Sequence, residues 1–383
     1  MAAMTIMANA TIAPSLPGLR EHFADRPGIE TLSGLLLTLP SLAILLSAGL
    51  WGWLADRIDR QRLLIAAAVL YAVGGTSGLW AGSLEVMLAG RAVLGLGVAG
   101  TMTLAMTWGA DLWLGAARAK FLGRQGAAMS LGGIVVILLG GALASVHWRG
   151  AFAVYVLVVP VALLALVALA PYAAARRDRP GATGANAGGV FPWRAFAVVG
   201  ALAFFFMAVF YVMPTRLPFR LTGLGVTNPL SIGMIMATMT IVAVPGSLAY
   251  GRIRQRFSAM AVFAFSFAMM GLGMMLIGFA QGPWAIVAGS VLAGIGMGPA
   301  MPNYTTYLMA TVPPEQRGRA SGLLTTAFFA GQFASPLVSA PLVAGFGLPG
   351  AFMALALVLG LVAGLLALVA MAGSSRAAAS SPG

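Results

Sequence analysis

Twelve long apolar runs, separated by short gaps, constrain this chain more than any other feature of its sequence. A helix needs about 20 mostly apolar residues to cross the hydrocarbon core of a bilayer, and most of the runs reach that length. The strands of membrane barrels are half as long and alternate apolar with polar residues, which these runs do not. The sequence therefore predicts an all-α integral membrane protein with twelve transmembrane helices. The runs cover residues 1–17, 32–53, 62–80, 84–111, 121–144, 151–171, 194–213, 230–251, 258–279, 284–309, 320–343 and 349–372.

The first run is shorter than the others. As a helix it would rise only about 25 Å, less than the roughly 30 Å thickness of the hydrocarbon core. We expect either that this helix packs short or that the natural chain starts upstream of Met1. The opening segment has no basic start and runs directly into Pro14 and Pro17, so we predict no cleavable signal.

The composition excludes soluble proteins. Hydrophobic residues make up 60% of the chain and charged residues 8%, against roughly 25% charged residues in a soluble domain. The net charge is +13, but the basic residues are scattered through the gaps, which argues against nucleic-acid binding. There is no cysteine, and His22 and His147 have no ligand-spaced partners. We therefore predict no catalytic residue, no metal site and no cofactor, and we expect no enzyme; without a phosphate-binding loop, ATP-driven pumping is disfavoured as well.

The basic residues predict the orientation of the chain in the membrane. The even-numbered gaps and the C-terminal tail hold 16 of them and the odd-numbered gaps hold five, while Arg91 lies inside a run. Cytoplasmic loops are enriched in lysine and arginine, so we predict that the even gaps and both termini are cytoplasmic. The five on the predicted outer side are Arg20, Arg26, Arg149, Arg216 and Arg220.

The two halves of the chain align when one is shifted by 199 residues. Glycines of the fourth run then fall on glycines of the tenth, as Gly95 does on Gly294 and Gly97 on Gly296. A Gly- and Ala-rich stretch with a basic start separates the halves and is typical of a flexible linker. We predict an N-terminal six-helix bundle over 1–171, a cytoplasmic linker over 172–193, and a C-terminal six-helix bundle with a short tail over 194–383. Such repeats occur in transporters whose substrate site lies between the repeats.

Two motifs then establish a resemblance to the major facilitator superfamily. The second gap reads GWLADRIDR from Gly52 to Arg60, similar to the family's loop signature G-x-L-A-D-R-x-G-R, with Asp59 in place of the second glycine. The fourth run reads RAVLGLG from Arg91 to Gly97, similar to the family's R-x-x-x-G-x-G. The chain most resembles the bacterial drug-efflux, drug:proton antiporter branch. This resemblance implies two pseudo-symmetric six-helix bundles, a monomer, and a location in the bacterial inner membrane.

The resemblance also implies a gating cluster at the cytoplasmic ends of the helices. Asp56 would accept hydrogen bonds from the amides that begin the eleventh helix near Ala320, where the helix dipole favours an anion. Such a cluster would hold the halves together in one conformation and release them in the other. The alternative is a static surface salt bridge, which contributes little free energy. The cluster comprises Gly52, Asp56, Arg57, Arg60 and Asp111.

Arg91 is the most informative single residue of the sequence. A cation inside a membrane span is costly and normally faces a cavity or a partner. Asn9, on the first run, lies at a similar depth and is a candidate partner. We interpret Arg91 as a residue that senses protonation or substrate charge. The alternative is that its side chain extends to the outer interface.

Several polar side chains inside the runs are candidates for lining a substrate cavity. Some of them follow Pro299 and Pro302, and prolines free backbone carbonyl groups within a helix. Each candidate could instead bond to a neighbouring helix. The candidates are Tyr211, Asn303, Tyr304, Tyr307 and Gln332.

The predicted function follows from the fold, the motifs and one absence. No carboxylate is expected at the membrane midplane, and Val136 and Ile137 stand where the family's antiporter signature has Gly-Pro. We predict an alternating-access secondary transporter that exports a small organic molecule or drug coupled to protons. Its partners are the substrate, protons and the lipid bilayer. The missing midplane acid leaves room for coupling through acids at the helix ends, for an anionic substrate drawn by Arg91, or for facilitated diffusion. Two alternatives stay open: an uptake permease for a small organic anion, and a non-transporting membrane receptor on the same fold.

Overall fold

The computed structural model describes residues 4, 7–8, 11–112, 115–174, 191–313 and 316–379. Within these residues every regular element is a helix. The N-terminal half contains a 3₁₀ turn (Ala13–Ser15), α1 (Leu16–His22), α2 (Ile29–Ala55), α3 (Arg60–Gly75), α4 (Ser77–Trp80), α5 (Leu84–Leu112), α6 (Gly115–Val146), a 3₁₀ segment (Trp148–Leu157) and α7 (Val158–Ala174). The C-terminal half contains α8 (Trp193–Phe210), α9 (Val212–Thr222), α10 (Pro229–Leu248), α11 (Tyr250–Arg256), α12 (Ala259–Phe279), α13 (Pro283–Thr311) and α14 (Arg317–Ala379).

The predicted all-α membrane architecture is confirmed. Nine helical stretches in the described part of the chain are long and apolar enough to cross a membrane. The last of them contains two crossings, because the backbone of α14 breaks at Gly347, where φ is 69° and ψ is 173°. Only glycine adopts this conformation readily. With α6 and the first predicted run, of which residues 4, 7–8 and 11–17 are described, these stretches fit the twelve predicted crossings.

The seventh crossing is longer than its sequence predicts. The predicted run ends at residue 213, but α8 continues after a break at Tyr211 into α9, which ends at Thr222. Arg216 and Arg220 therefore lie on a helix and not in a loop. The two prolines and two arginines of this segment lower its mean hydropathy, so the sequence pattern predicts a gap between two apolar runs there. A proline in the first turn of a helix removes no intrahelical hydrogen bond, and Pro214 occupies that turn of α9.

Equivalent glycines make equivalent contacts in the two halves. A Cβ atom on Gly95 would lie 2.5 Å from the carbonyl oxygen of Pro40, and one on Gly294 would lie 2.6 Å from that of Met239. Pro40 and Met239 are themselves related by the shift of 199 residues. The neighbouring glycines repeat the relation, since the backbone amides nearest to them are those of Tyr71 for Gly97 and Met270 for Gly296. The internal repeat of the sequence is thus a repeat of backbone packing.

Among the described residues, α2 of the first half and α14 of the second pack closely towards one end of the molecule. We call the end that carries Arg20 and Thr222 the predicted outer face and the end that carries Asp56 the predicted cytoplasmic face. Towards the outer face, a Cβ on Gly34 of α2 would lie 2.8 Å from the Cβ of Pro336 in α14. Towards the cytoplasmic face, open space surrounds the glycines of the same two helices, which are Gly49, Gly52, Gly318 and Gly322. Helices α2 and α14 therefore diverge towards the predicted cytoplasmic face.

Candidate functional site

A hydrogen bond joins the two halves near the middle of the molecule. The hydroxyl group of Ser41 on α2 donates to Oε1 of Gln332 on α14 over 2.9 Å. Nε2 of Gln332 also lies 3.9 Å from the sulfur atom of Met207 on α8. Ser41 is about 18 Å along α2 from its start, so the contact lies at the depth expected for a substrate site between repeats. It also lies where the close packing of α2 and α14 gives way to open space.

Tyr211 and Tyr307 are partly buried and remain candidates for lining a central cavity. Tyr211 occupies the break between α8 and α9 and packs its ring 5.5 Å from that of Phe210. The ring of Tyr307 meets that of Phe263 edge-on at 6.2 Å. These two positions and Gln332 are the predicted cavity residues whose side chains retain some exposure.

The structure places Asn303 and Tyr304 inside the C-terminal half and not on a cavity wall. Both are fully buried. Asn303 accepts a hydrogen bond from the Tyr250 hydroxyl at 3.1 Å and donates to the carbonyl oxygen of Ala259 at 3.0 Å. The Tyr304 hydroxyl donates to the carbonyl oxygen of Leu202 at 3.1 Å. Their polar groups thus tie α13 to α8, α11 and α12.

Arg91 is fully buried and does not extend to the outer interface. Its Nε donates to the carbonyl oxygen of Leu36 at 2.7 Å, and its Nη1 donates to the Tyr155 hydroxyl at 2.9 Å. Its Nη2 donates to the carbonyl oxygen of Ala8. Leu36 precedes Pro40 by four residues, and a proline has no N–H group with which to bond that carbonyl. Arg91 therefore supplies the Leu36 carbonyl with a donor in place of the N–H group that Pro40 lacks.

This arrangement explains the spacing of the motif in the fourth span. Arg91 bonds to the carbonyl freed by the proline in α2, and Gly95, one turn further along α5, allows the backbone of α5 to approach Pro40 itself. The guanidinium group also contacts the first helical segment, through Ala8, and the sixth crossing, through Tyr155. Asn9, its predicted partner, lies outside the described residues. Arg91 thus joins four crossings of the N-terminal half, and its role in sensing charge stays a prediction.

Most of the loop motif at the predicted cytoplasmic face is exposed, and its last residue, Arg60, is buried. The side chain of Asp56 is exposed, and open space surrounds Gly52. The guanidinium carbon of Arg57 lies 4.0 Å from the centre of the Trp53 ring. Arg60 is 7% exposed, and its Nε lies 3.5 Å from the carbonyl oxygen of Ala55. The side chain of Asp111, the fifth member of the predicted cluster, lies outside the described residues.

Asp59, which replaces the usual glycine of this motif, caps a helix. Its Oδ1 accepts hydrogen bonds from the backbone amides of Gln61 at 3.0 Å and Arg62 at 3.1 Å. An aspartate at this position satisfies amides that have no partner within the helix and complements the helix dipole. The departure from the motif therefore stabilises the start of α3.

Sequence reasoning missed the role of two arginines on the predicted outer face. Nη1 of Arg149 donates to the carbonyl oxygens of Gly78 at 3.0 Å and Ala81 at 2.9 Å, at the end of the third crossing. Arg220 donates to the corresponding carbonyls at the end of α12, those of Ile277, Gly278 and Ala280. The two sets of carbonyls are related by the repeat, but the two arginines are not. The available signal was the repeat itself, which places the two helix ends in equivalent positions.

Comparison with known proteins agrees with this architecture. The model of the Major Facilitator Superfamily matches residues 1–227 and 217–382. The chain is 27% identical over 342 residues to the class C tetracycline resistance protein of Escherichia coli, covering 85% of this chain and 84% of the relative.

Solved structures of low sequence identity share the fold. The inward-open xylose transporter XylE from E. coli superposes with a TM-score of 0.73 at 17% identity, covering 95% of this chain and 93% of that one. The human organic anion transporter MFSD10 superposes with a TM-score of 0.65 at 18% identity, covering 95% and 96%. Because the family model matches almost the whole chain, this multi-pass membrane protein belongs to the major facilitator superfamily of transporters.

Proposed function

We propose that this transporter exports a small organic molecule in exchange for protons across the bacterial inner membrane. It works as a monomer by alternating access, with both termini in the cytoplasm. The observation that carries the proposal is the uneven packing of α2 and α14, which touch at Gly34 and Pro336 and diverge at their other ends. With the orientation predicted from the basic residues, this is a conformation closed to the outside and open to the cytoplasm. In that conformation an exporter loads its substrate and an uptake permease releases it. The packing therefore supports alternating access, and export is proposed from the likeness to the tetracycline resistance protein.

The proposed domains are the N-terminal bundle over 1–171, the linker over 172–193 and the C-terminal bundle over 194–383. The exposed loop motif is in keeping with this conformation. A cluster of Asp56, Arg57, Arg60 and Asp111 that closes the cytoplasmic side would be separated when that side is open. We therefore assign the cluster to the opposite, outward-open conformation.

Export is supported by the likeness to the tetracycline resistance protein. The coupling group is proposed to be a carboxylate at a helix end, because the sequence places none at midplane. The uptake of organic anions gains no support from Arg91, whose guanidinium is buried and bonded to three acceptors. Arg91 instead holds the N-terminal bundle together, so its substitution is not a clean test of substrate charge.

The test is flux in proteoliposomes with and without an imposed pH gradient, over a panel of cationic dyes, tetracyclines and organic acids. We expect substrate to move against the proton gradient and to stop moving when the gradient is collapsed. Uptake of an organic acid instead would establish the anion permease. Binding without flux across the whole panel would favour the receptor and refute the proposal.

A further inference from the structure

The contact between the halves at the predicted outer face contains a buried cation. Arg216 on α9 exposes only 2% of its surface. Its Nε donates to the Ser339 hydroxyl on α14 at 3.2 Å. Its Nη1 donates to the backbone carbonyl of Glu30 on α2, in the other half, at 3.2 Å. Its Nη2 is buried and has no hydrogen-bond partner in the described part of the chain.

An ion pair beside it leaves Arg216 without a carboxylate of its own. The Glu30 carboxylate pairs with Arg20 at 2.7 Å, and both side chains are 46% exposed. The guanidinium carbon of Arg20 lies 5.6 Å from the centre of the Phe219 ring, across the contact between the halves. The carboxylate of Glu30 thus pairs with Arg20, and Arg216 contacts only the backbone carbonyl of the same residue. An exposed pair of this kind contributes little free energy, so the apolar packing of Gly34 against Pro336 does more to hold this face closed.

We infer that Arg216 keeps the closure of the outer face reversible, as a positioning residue of the transport cycle. Closing the face removes the guanidinium from water and leaves one donor group unmet, and opening the face returns that group to water. Removing Arg216 leaves the Glu30 carbonyl with a donor, the Ser33 hydroxyl, and the Ser339 hydroxyl keeps its own bond to the Pro336 carbonyl. An apolar residue of similar volume would therefore favour the closed form, as it often does when it replaces buried charges.

The chain has no cysteine, so a single introduced thiol can report how often the face opens. Gly233→Cys is suited to this, because a Cβ there would lie 3.3 Å from the Ile137 carbonyl and 3.5 Å from the Pro14 ring, within the contact between the halves. Gly49→Cys, in open space at the other end, serves as the reference thiol. The probe is a polar maleimide, applied to protein in nanodiscs so that both faces are accessible.

We expect Arg216→Leu to slow the labelling of Cys at position 233 about tenfold and to leave the labelling at position 49 fast. A tenfold change corresponds to about 1.4 kcal/mol in the free energy of opening the outer face. Ser339→Asp should slow it as well, by supplying the carboxylate that Arg216 lacks. Substrate exchange should fall in both variants. Arg216→Leu removes the cation and Ser339→Asp supplies a carboxylate for it, so the inference can still be tested if one of the two variants does not fold.

The matched control is Arg220→Leu, one helical turn further along α9. Arg220 bonds within the C-terminal half, so its loss should lower the melting temperature without changing the ratio of the two labelling rates. Faster labelling of position 233 in Arg216→Leu would show that Arg216 holds the face closed and would overturn the inference. The inference would also be overturned if Arg216→Leu and Ser339→Asp both left the ratio of the labelling rates at positions 233 and 49 unchanged. The inference rests on the proposed alternating access, which fails separately if position 233 in the otherwise unchanged protein is not labelled while position 49 is.

Discussion

A double substitution tests whether Arg91 replaces the hydrogen bond that Pro40 removes from α2. Changing Arg91→Met deletes the donor to the Leu36 carbonyl, which has no N–H group four residues further on. The Ala8 carbonyl keeps the Tyr155 hydroxyl as a donor at 3.0 Å. Leu36 is therefore the acceptor that loses most, and a buried acceptor left without a partner costs about 1–3 kcal/mol.

Pro40→Ala restores a backbone N–H group at the position from which the Leu36 carbonyl normally accepts. In that background Arg91→Met should be less destabilising, by the same 1–3 kcal/mol or so, than in the unmodified chain. The measurement is the free energy of SDS-induced unfolding in mixed micelles, followed by far-ultraviolet circular dichroism and required to show one transition.

The matched control uses Pro245→Ala in α10, a helix of the other half. This substitution also restores an N–H group within a helix, but it lies far from Arg91, so the two effects should add to within about 0.5 kcal/mol. Equal costs of Arg91→Met with and without Pro40→Ala would refute the reasoning. Arg91 would then stabilise the bundle through its other acceptors and not through the carbonyl freed by the proline.

Three further predictions follow from single contacts, each with a comparison variant. Gly97→Ala should disrupt folding, because its Cβ would lie 2.4 Å from the backbone nitrogen of Tyr71, whereas Gly318→Ala, in open space, should leave the melting temperature unchanged. Asp59→Ala should cost about 1 kcal/mol of stability by removing the cap of α3, and Asp59→Asn should retain most of it. Ser41→Ala should change the rate of substrate exchange because it breaks the hydrogen bond between the halves. Ser47→Ala loses only a bond to its own helix at Ala43 and should not change that rate. Equal exchange rates in the two variants would show that Ser41 has no role in the transport cycle.

The number of crossings and the repeat could be predicted because both depend on patterns along the chain. Hydropathy reports the length of a helix that lipid surrounds, and the glycines of the repeat mark close backbone contacts, as Gly95 and Gly294 show. The prediction was wrong at α9, where Arg216 and Arg220 were assigned to a loop. The mean hydropathy of a window cannot distinguish an arginine that caps the end of a neighbouring helix from a solvent-exposed arginine, because both lower that mean equally.

The candidate site was less predictable than the fold. Gln332 could be singled out as a polar residue in an apolar run, but its partner Ser41 is 291 residues away, and its bond depends on how the halves pack. Asn303 and Tyr304 gave the same signal in the sequence, yet they bond within one half. Polarity inside a span predicts that a partner exists; it does not predict which helix supplies it.

Four of the five arginines on the predicted outer face have partners that stabilise a cation there. Arg20 and Arg26 pair with acids, and Arg149 and Arg220 cap the ends of helices. Each of these bonds compensates for placing a cation on the side that positive loops avoid. Arg216 is bonded only in part, and it alone among the five donates to a backbone carbonyl of the opposite half. Arg216 is buried without a carboxylate partner when the face is closed, and one of its donor groups is unmet there. Opening the face would return that group to water, so the least satisfied of the five is the one we connect with movement.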